Sequence, residues 1–127
     1  MPKVIDFKDL LIWQKGMALA RKVYDLTARL PAEEKFGLSS QMRRAAVSIP
    51  SNIAEGQVRR GTKEFVQFLA HASGSLAELE TQLLLSVELG FVQRSEIAPL
   101  DTEVTEIQKM IAAIQRKLAL RTLAGGE

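Results

Sequence analysis

Between Ile97 and Leu118 the chain reads IAPLDTEVTEIQKMIAAIQRKL, and its apolar residues Ile97, Leu100, Val104, Ile107, Ile111, Ile114 and Leu118 step by three and four throughout. That spacing sets one apolar side chain per turn on a single face, the seam along which helices of a bundle pack. At about 1.5 Å per residue the segment covers roughly 30 Å. Pro99 fits such a helix if it lies in the first turn, where its missing N–H leaves no gap. Upstream, Thr62 opens a matching segment in which Phe65, Leu69, Ala72, Leu76, Leu79 and Leu83 repeat the seam, and Gly90 closes it as a left-handed C′ residue.

The first half supplies two more helices. Asp6 is a candidate N-cap with Asp9 in the first turn. Leu10, Trp13, Met17, Ala20 and Tyr24 then form one stripe, widened by Leu19, Val23, Leu26 and Leu30, before Leu30-Pro31 ends the segment. After a loop containing Phe36 and Gly37, Ser39 or Ser40 is placed to cap a second helix, with Met42, Ala45, Ile49 and Ile53 facing inward. Pro50 removes the hydrogen bond to the Ala46 carbonyl, so a helix kinked near Pro50 but continuous is expected, ending near Arg59 before Gly61. No segment alternates as a strand does. The expectation is an all-α, up-down-up-down four-helix bundle in one domain, with helices at about 7–30, 38–59, 62–89 and 95–121 and a flexible tail at 122–127.

The chain has 127 residues, 46% hydrophobic and 25% charged, without cysteine. That length builds a core without disulfides or a structural metal. Charge breaks the opening run Met1-Pro2-Lys3-Val4-Ile5-Asp6, and no aliphatic stretch is long enough to span a bilayer, so a cytoplasmic protein without a membrane role is expected. The net charge of +2 is small, but it is unevenly spread: 12 basic against 7 acidic residues up to Glu64 (+5), and 5 against 8 after it (−3). Such a field favours an anionic ligand or an oppositely charged face of a neighbouring subunit.

Catalytic chemistry finds little support. His71 is the one histidine, and Phe68 three residues before it excludes the Glu-x-x-His pattern of a di-iron bundle, so it reads as a helix-flank residue. There is no thiol nucleophile, no visible Ser-His-Asp spacing and no metal-ligand set, and no cofactor is expected. Gly56-Gln57-Val58-Arg59-Arg60-Gly61-Thr62-Lys63 imitates a phosphate-binding loop, but its lysine is displaced and a helix precedes it where a strand is needed.

The distinctive run is Gln41-Met42-Arg43-Arg44-Ala45-Ala46-Val47-Ser48-Ile49-Pro50-Ser51-Asn52-Ile53-Ala54-Glu55-Gly56. Arg44, Ser48, Ser51 and Glu55, continued by Arg59, share one polar stripe, and Arg44 with Glu55 reads as a structural ion pair. Ala45, Ala46, Ser48, Ser51, Ala54 and Gly56 permit close approach of another backbone, within or between subunits. In a second reading Arg43, Arg44, Arg59, Arg60 and Lys63 form a cluster facing phosphate, because guanidinium forks match phosphate oxygens. Base stacking is not expected to add to it, since helical phase puts most of Trp13, Tyr24 and the five phenylalanines in the core.

This run, together with Phe7-Lys8-Asp9-Leu10, Trp13-Gln14, Phe36-Gly37-Leu38, Gly74-Ser75 and Glu78-Leu79-Glu80-Thr81, resembles a bacterial family of four-helix bundle proteins. That family includes proteins encoded in intervening sequences of 23S ribosomal RNA genes and the accessory variability determinant of diversity-generating retroelements. The resemblance implies a bundle assembled as a homopentamer, with a basic surface that in the retroelement branch contacts nucleic acid and the reverse transcriptase. It points to a non-enzymatic oligomer binding RNA or nucleoprotein, the alternative being a protein-interaction scaffold with no nucleic-acid role.

Overall fold

The computed structural model describes residues 5–123. Four helices, α1 (Leu11–Thr27), α2 (Leu38–Val58), α3 (Thr62–Glu88) and α4 (Arg94–Leu123), carry the fold, with short 3-10 turns at Phe7–Asp9 and Ala32–Glu34. Their directions follow from paired positions. Thr27 meets Arg43 and Gly16 meets Pro50, so α1 and α2 are antiparallel. Ser48 with Ser75 and Gly56 with Phe68 do the same for α2 and α3, Ser73 with Gln108 and Glu80 with Asp101 for α3 and α4, and Lys22–Glu103 with Arg29–Glu96 for α1 and α4. Each helix packs on its two neighbours and not across the diagonal. This is the expected all-α, up-down-up-down bundle.

The helix ends differ from expectation in instructive ways. Asp6 caps the first 3-10 turn, accepting the Lys8 N–H at 2.9 Å, while Leu10 adopts an extended conformation and α1 begins after it. The turn is fastened by Phe7, edge-on to Trp13 at 5.4 Å, and by Gln14, whose side-chain amide donates to Lys8 O at 2.9 Å. Neither Ser39 nor Ser40 caps α2. Gly37 is its N-cap, and the Glu34 carboxylate accepts the Leu38 N–H at 3.0 Å, a longer side chain reaching forward to do the same work. α2 passes Pro50 as one continuous helix. Gly90, at φ +77°, forms a complete Schellman closure: its N–H donates to Val87 O and the Phe91 N–H donates to Ser86 O. α4 starts at Arg94, with Glu96 accepting the Gln93 N–H, so Pro99 falls in the second turn, beyond the N–H groups that lack partners anyway. The Ser95 carbonyl therefore loses its usual partner. Thr122 and Leu123, placed in the tail from sequence, belong to α4; residues 124–127, like Met1–Val4, lie outside the described residues.

The core is aliphatic. Ile12, Leu19, Val23, Leu26, Met42, Ile49, Ile53, Leu69, Leu76, Leu79, Leu83, Ile107 and Ile111 are buried together, and no aromatic ring is. The expected placement of aromatics in the core is thus corrected: the seams are filled by branched chains and alanines, and Trp13, Phe65 and Phe91 only cover them from outside. The central stripe of α1 also shifts. Ile12, Gly16, Leu19, Val23 and Leu26 face the interior, whereas Met17 and Tyr24, placed on the main stripe from sequence, are 47% and 45% exposed. A side chain at Gly16 would start 3.4 Å from Pro50 Cβ and 3.5 Å from Ile49 Cγ2, so α1 approaches α2 closely there and its inward stripe runs through a residue without a side chain.

The uneven charge has an internal use. Lys15 and Lys22 of α1, and Arg29 just past its end, pair with Glu106, Glu103 and Glu96 of α4, closing the ring of helices with a ladder. Being half-exposed, such pairs contribute about 0.2–1 kcal/mol each and serve register more than stability. Between α3 and α4, Glu80 lies against Asp101, and their shared hydrogen bond, followed by burial and mutual repulsion, raises the Glu80 carboxyl above the ordinary carboxylate range. A raised folded pKa stabilises the bundle below the unfolded pKa, and that stability is lost as pH rises through the folded value. Glu80→Gln is therefore expected to stabilise the bundle at neutral pH by at most about 1 kcal/mol and so raise its melting temperature, with the gain vanishing in acid. Thermal melts at pH 7 and pH 3 check this. Among the described residues no helix is long and apolar enough to cross a membrane.

Candidate nucleic-acid interface

α2 carries two of the five basic residues singled out from sequence, Arg43 and Arg44, and its far end leads into the other three, so as a rigid rod it keeps the two groups apart. Sixteen residues separate Arg43 from Arg59, about 24 Å along the axis. Arg43 and Arg44 sit where α2 begins, beside the end of α1; Arg59, Arg60 and Lys63 sit at the turn into α3. The single cluster becomes two basic ends.

At the first end Arg43 is firmly held. Its Nε donates to Thr27 Oγ1 at 2.7 Å, and its guanidinium lies over the Tyr24 ring at 4.6 Å. Thr27 in turn donates to Tyr24 O, fixing its rotamer. Arg44 points outward and, among the described residues, has no ion-pair partner. Glu55 pairs instead with Arg59, one turn away, at 3.0 Å. This corrects the Arg44–Glu55 pair: eleven residues span about 16 Å of helix, too far for both side chains to bridge.

At the second end Arg59 also lies over the Phe68 ring at 4.9 Å, so it is the most engaged member of its group. Arg60 adopts φ 61°, the one non-glycine residue with positive φ among the described residues. That conformation costs about 1 kcal/mol for a residue with a Cβ. Lys63, exposed in the first turn of α3, borders an apolar groove formed with Val66, Leu118 and Leu123.

The polar stripe is likewise shared out. Ser48 turns to α3, its hydroxyl 2.6 Å from both Ala45 O and the Ser75 hydroxyl. Ser51 borders a groove of about 510 Å³ between α1 and α2, lined also by Trp13, Met17, Tyr24 and Val47. Of the small residues, Ala45, Ala46 and Gly56 are used inside the bundle; a Cβ on Gly56 would stand 2.7 Å from Phe68 Cβ. That burial also disposes of the phosphate-loop imitation, whose first glycine is helical and covered. His71 is exposed on the flank of α3, edge-on to Phe68 at 5.7 Å. No group of His, Cys, Asp or Glu among the described residues is placed to hold a metal ion.

Sequence reasoning missed Lys35 and Ser39, which share a cleft with Arg43, and Phe36, which is 89% exposed beside them. The Phe36-Gly37 pair in a loop was a usable signal for an exposed ring; the cleft itself exists only once α1 and α2 are docked.

A helical bundle with basic residues divided between its two ends, and no assembled catalytic group among the described residues, is the class of protein these features define. The chain belongs to the 23S rRNA-intervening sequence protein family, whose model matches residues 8–113. A crystal structure of a protein of unknown function from the S23 ribosomal protein family of Bacteroides thetaiotaomicron is similar in fold, with TM-score 0.77 and 24% identity, covering 83% of this chain and 98% of that one. No curated protein matches the chain.

Proposed function

We propose that this protein is a non-enzymatic, cytoplasmic bundle that assembles into a ring of identical subunits, five in number, and binds RNA or nucleoprotein through Arg43, Arg44, Arg59, Arg60 and Lys63. The observation that carries the reading is a contrast in pairing. Lys15, Lys22 and Arg29 are neutralised by α4, whereas Arg43, Arg44, Arg60 and Lys63 have no ion pair among the described residues. Arg60 adds weight, since it holds a left-handed position that glycine would take without strain. Around a ring, each weak basic end is repeated, and multivalency raises apparent affinity without new contacts. The exposed apolar groove between α1 and α2 supports assembly.

Binding is expected to be salt-sensitive and to show little sequence preference, log affinity falling linearly with log salt at a slope of about 0.7–0.9 per phosphate neutralised. Changing Arg59, Arg60 and Lys63 together to Ala should leave the fold and the oligomer intact while reducing both affinity and salt slope. Fluorescence anisotropy with an RNA hairpin over a salt series measures this. Unchanged affinity and slope would hand the surface to the scaffold reading, in which these residues meet acidic protein partners. Native mass giving a monomer at micromolar concentration would remove the ring. A ribosomal RNA locus or a reverse transcriptase gene beside this one would favour the nucleic-acid reading.

A further inference from the structure

We propose that the cleft between the end of α1 and the first two turns of α2 is a phosphate-binding site, with Arg43, Lys35 and Ser39 as its ligands. The cleft measures about 250 Å³ and is lined by Thr27, Leu30, Pro31 and these three residues, among others, with no carboxylate in its wall. At about 30 Å³ per water, it holds a phosphate group and several waters.

Arg43 is prepared for an oxyanion. Its Nε edge is occupied by Thr27 and one face by Tyr24, which leaves the Nη edge, with its paired donors, uncommitted. Ser39, one turn earlier on the same face, is 6% exposed, yet its hydroxyl has no hydrogen-bond partner among the described residues. Its side chain lines the cleft, where the uncommitted hydroxyl is available to donate to a ligand oxygen. Lys35 enters from the loop, likewise without an ion pair. Three donors, two from one face of α2 and one from the loop, offer more hydrogen bonds than the two oxygens of a carboxylate take up in one plane, and a phosphate has the further oxygens to meet them. The site does not rely on the start of α2, because the Glu34 carboxylate already takes the Leu38 N–H there and stays out of the cleft lining.

Phe36, next to Lys35, presents an open ring, with the Lys35 ammonium 5.5 Å from its centroid. A phosphate carried by a nucleotide would bring its base within reach of a stacking surface. In this respect the inference deepens the RNA reading and rests on it; the phosphate site itself does not.

The test is a titration of the full chain with inorganic phosphate at fixed ionic strength, followed by amide NMR. Saturable shifts at Thr27, Lys35 and Ser39, absent with chloride, are expected. Arg43→Gln should weaken binding about tenfold or more and Ser39→Ala about threefold, with Lys109→Gln, an exposed change on α4, neutral. Lys35→Gln, an exposed loop change, weakens binding even if the Arg43 variant fails to fold. Shifts that never saturate, or affinity unmoved by Arg43→Gln and Lys35→Gln, would overturn the site. The source of the phosphate is read separately, by competing with oligoribonucleotides carrying a 5′-phosphate or a 5′-hydroxyl. Displacement by the first alone assigns a terminal phosphate, displacement by both a backbone phosphate, and in either case Phe36→Ala should weaken the oligonucleotide and not inorganic phosphate. Phosphate binding that neither oligonucleotide displaces keeps the site and defeats its use for RNA.

Discussion

Gly56→Ala is expected to lower the stability of the bundle by about 1–2 kcal/mol, and Gly56→Leu to abolish cooperative unfolding. The added Cβ would meet Phe68 Cβ at 2.7 Å and Phe65 Cδ1 at 3.1 Å, with Phe65 Cα only 3.5 Å away, so relief requires moving α3 and not merely a side-chain tip. Overpacking of this kind costs about 1–3 kcal/mol, while alanine returns about 1 kcal/mol of helix propensity, and the steric term is the larger. Gly74 is the internal control. It lies mid-way along α3 with nothing within 4 Å of its missing Cβ, so Gly74→Ala is expected to stabilise by about 0.5–1 kcal/mol. Urea unfolding of both variants measures the difference in sign. Two stabilising alanines would mean that α2 and α3 are not in close contact at Gly56, and a stable Gly74→Ala that no longer assembles would place α3 at a subunit interface.

The two glycines show why some of the molecule was legible from sequence and some was not. The seams of α3 and α4 are unbroken runs of three and four, so their inward faces, the antiparallel topology and the turn at Gly90 follow from residue spacing alone. In α1 the inward stripe Ile12, Leu19, Val23 contains Gly16, which reads as a gap in a hydrophobic pattern although α1 packs closely on α2 there. The intact-looking stripe through Trp13, Met17 and Tyr24 therefore drew the eye to the wrong centre. The basic residues failed differently. They were identified as a group because they are near one another in sequence, but a helix turns sequence separation into distance, and 24 Å of α2 divides them. Lys35 and Ser39 join Arg43 only through tertiary docking of the loop and α1, which no local pattern records.

Leu19→Ala should be among the most damaging single changes in the protein, and Met17→Ala nearly silent for folding. Leu19 is completely buried between α1 and its neighbours, so its truncation removes transfer free energy and leaves a cavity, together about 2–5 kcal/mol. Met17, 47% exposed, lies at the rim of the groove that Trp13, Tyr24 and Val47 share, and its loss should cost less than about 1 kcal/mol. Equal losses would restore the stripe read from sequence and contradict the docking of α1 seen here. The pair also separates folding from assembly. If the α1–α2 groove is where subunits of the proposed ring meet, Met17→Ala should leave the unfolding transition of the isolated chain in place while shifting sedimentation toward smaller species. Leu19→Ala should lower the unfolding midpoint at every protein concentration, because the contacts it removes lie inside one subunit.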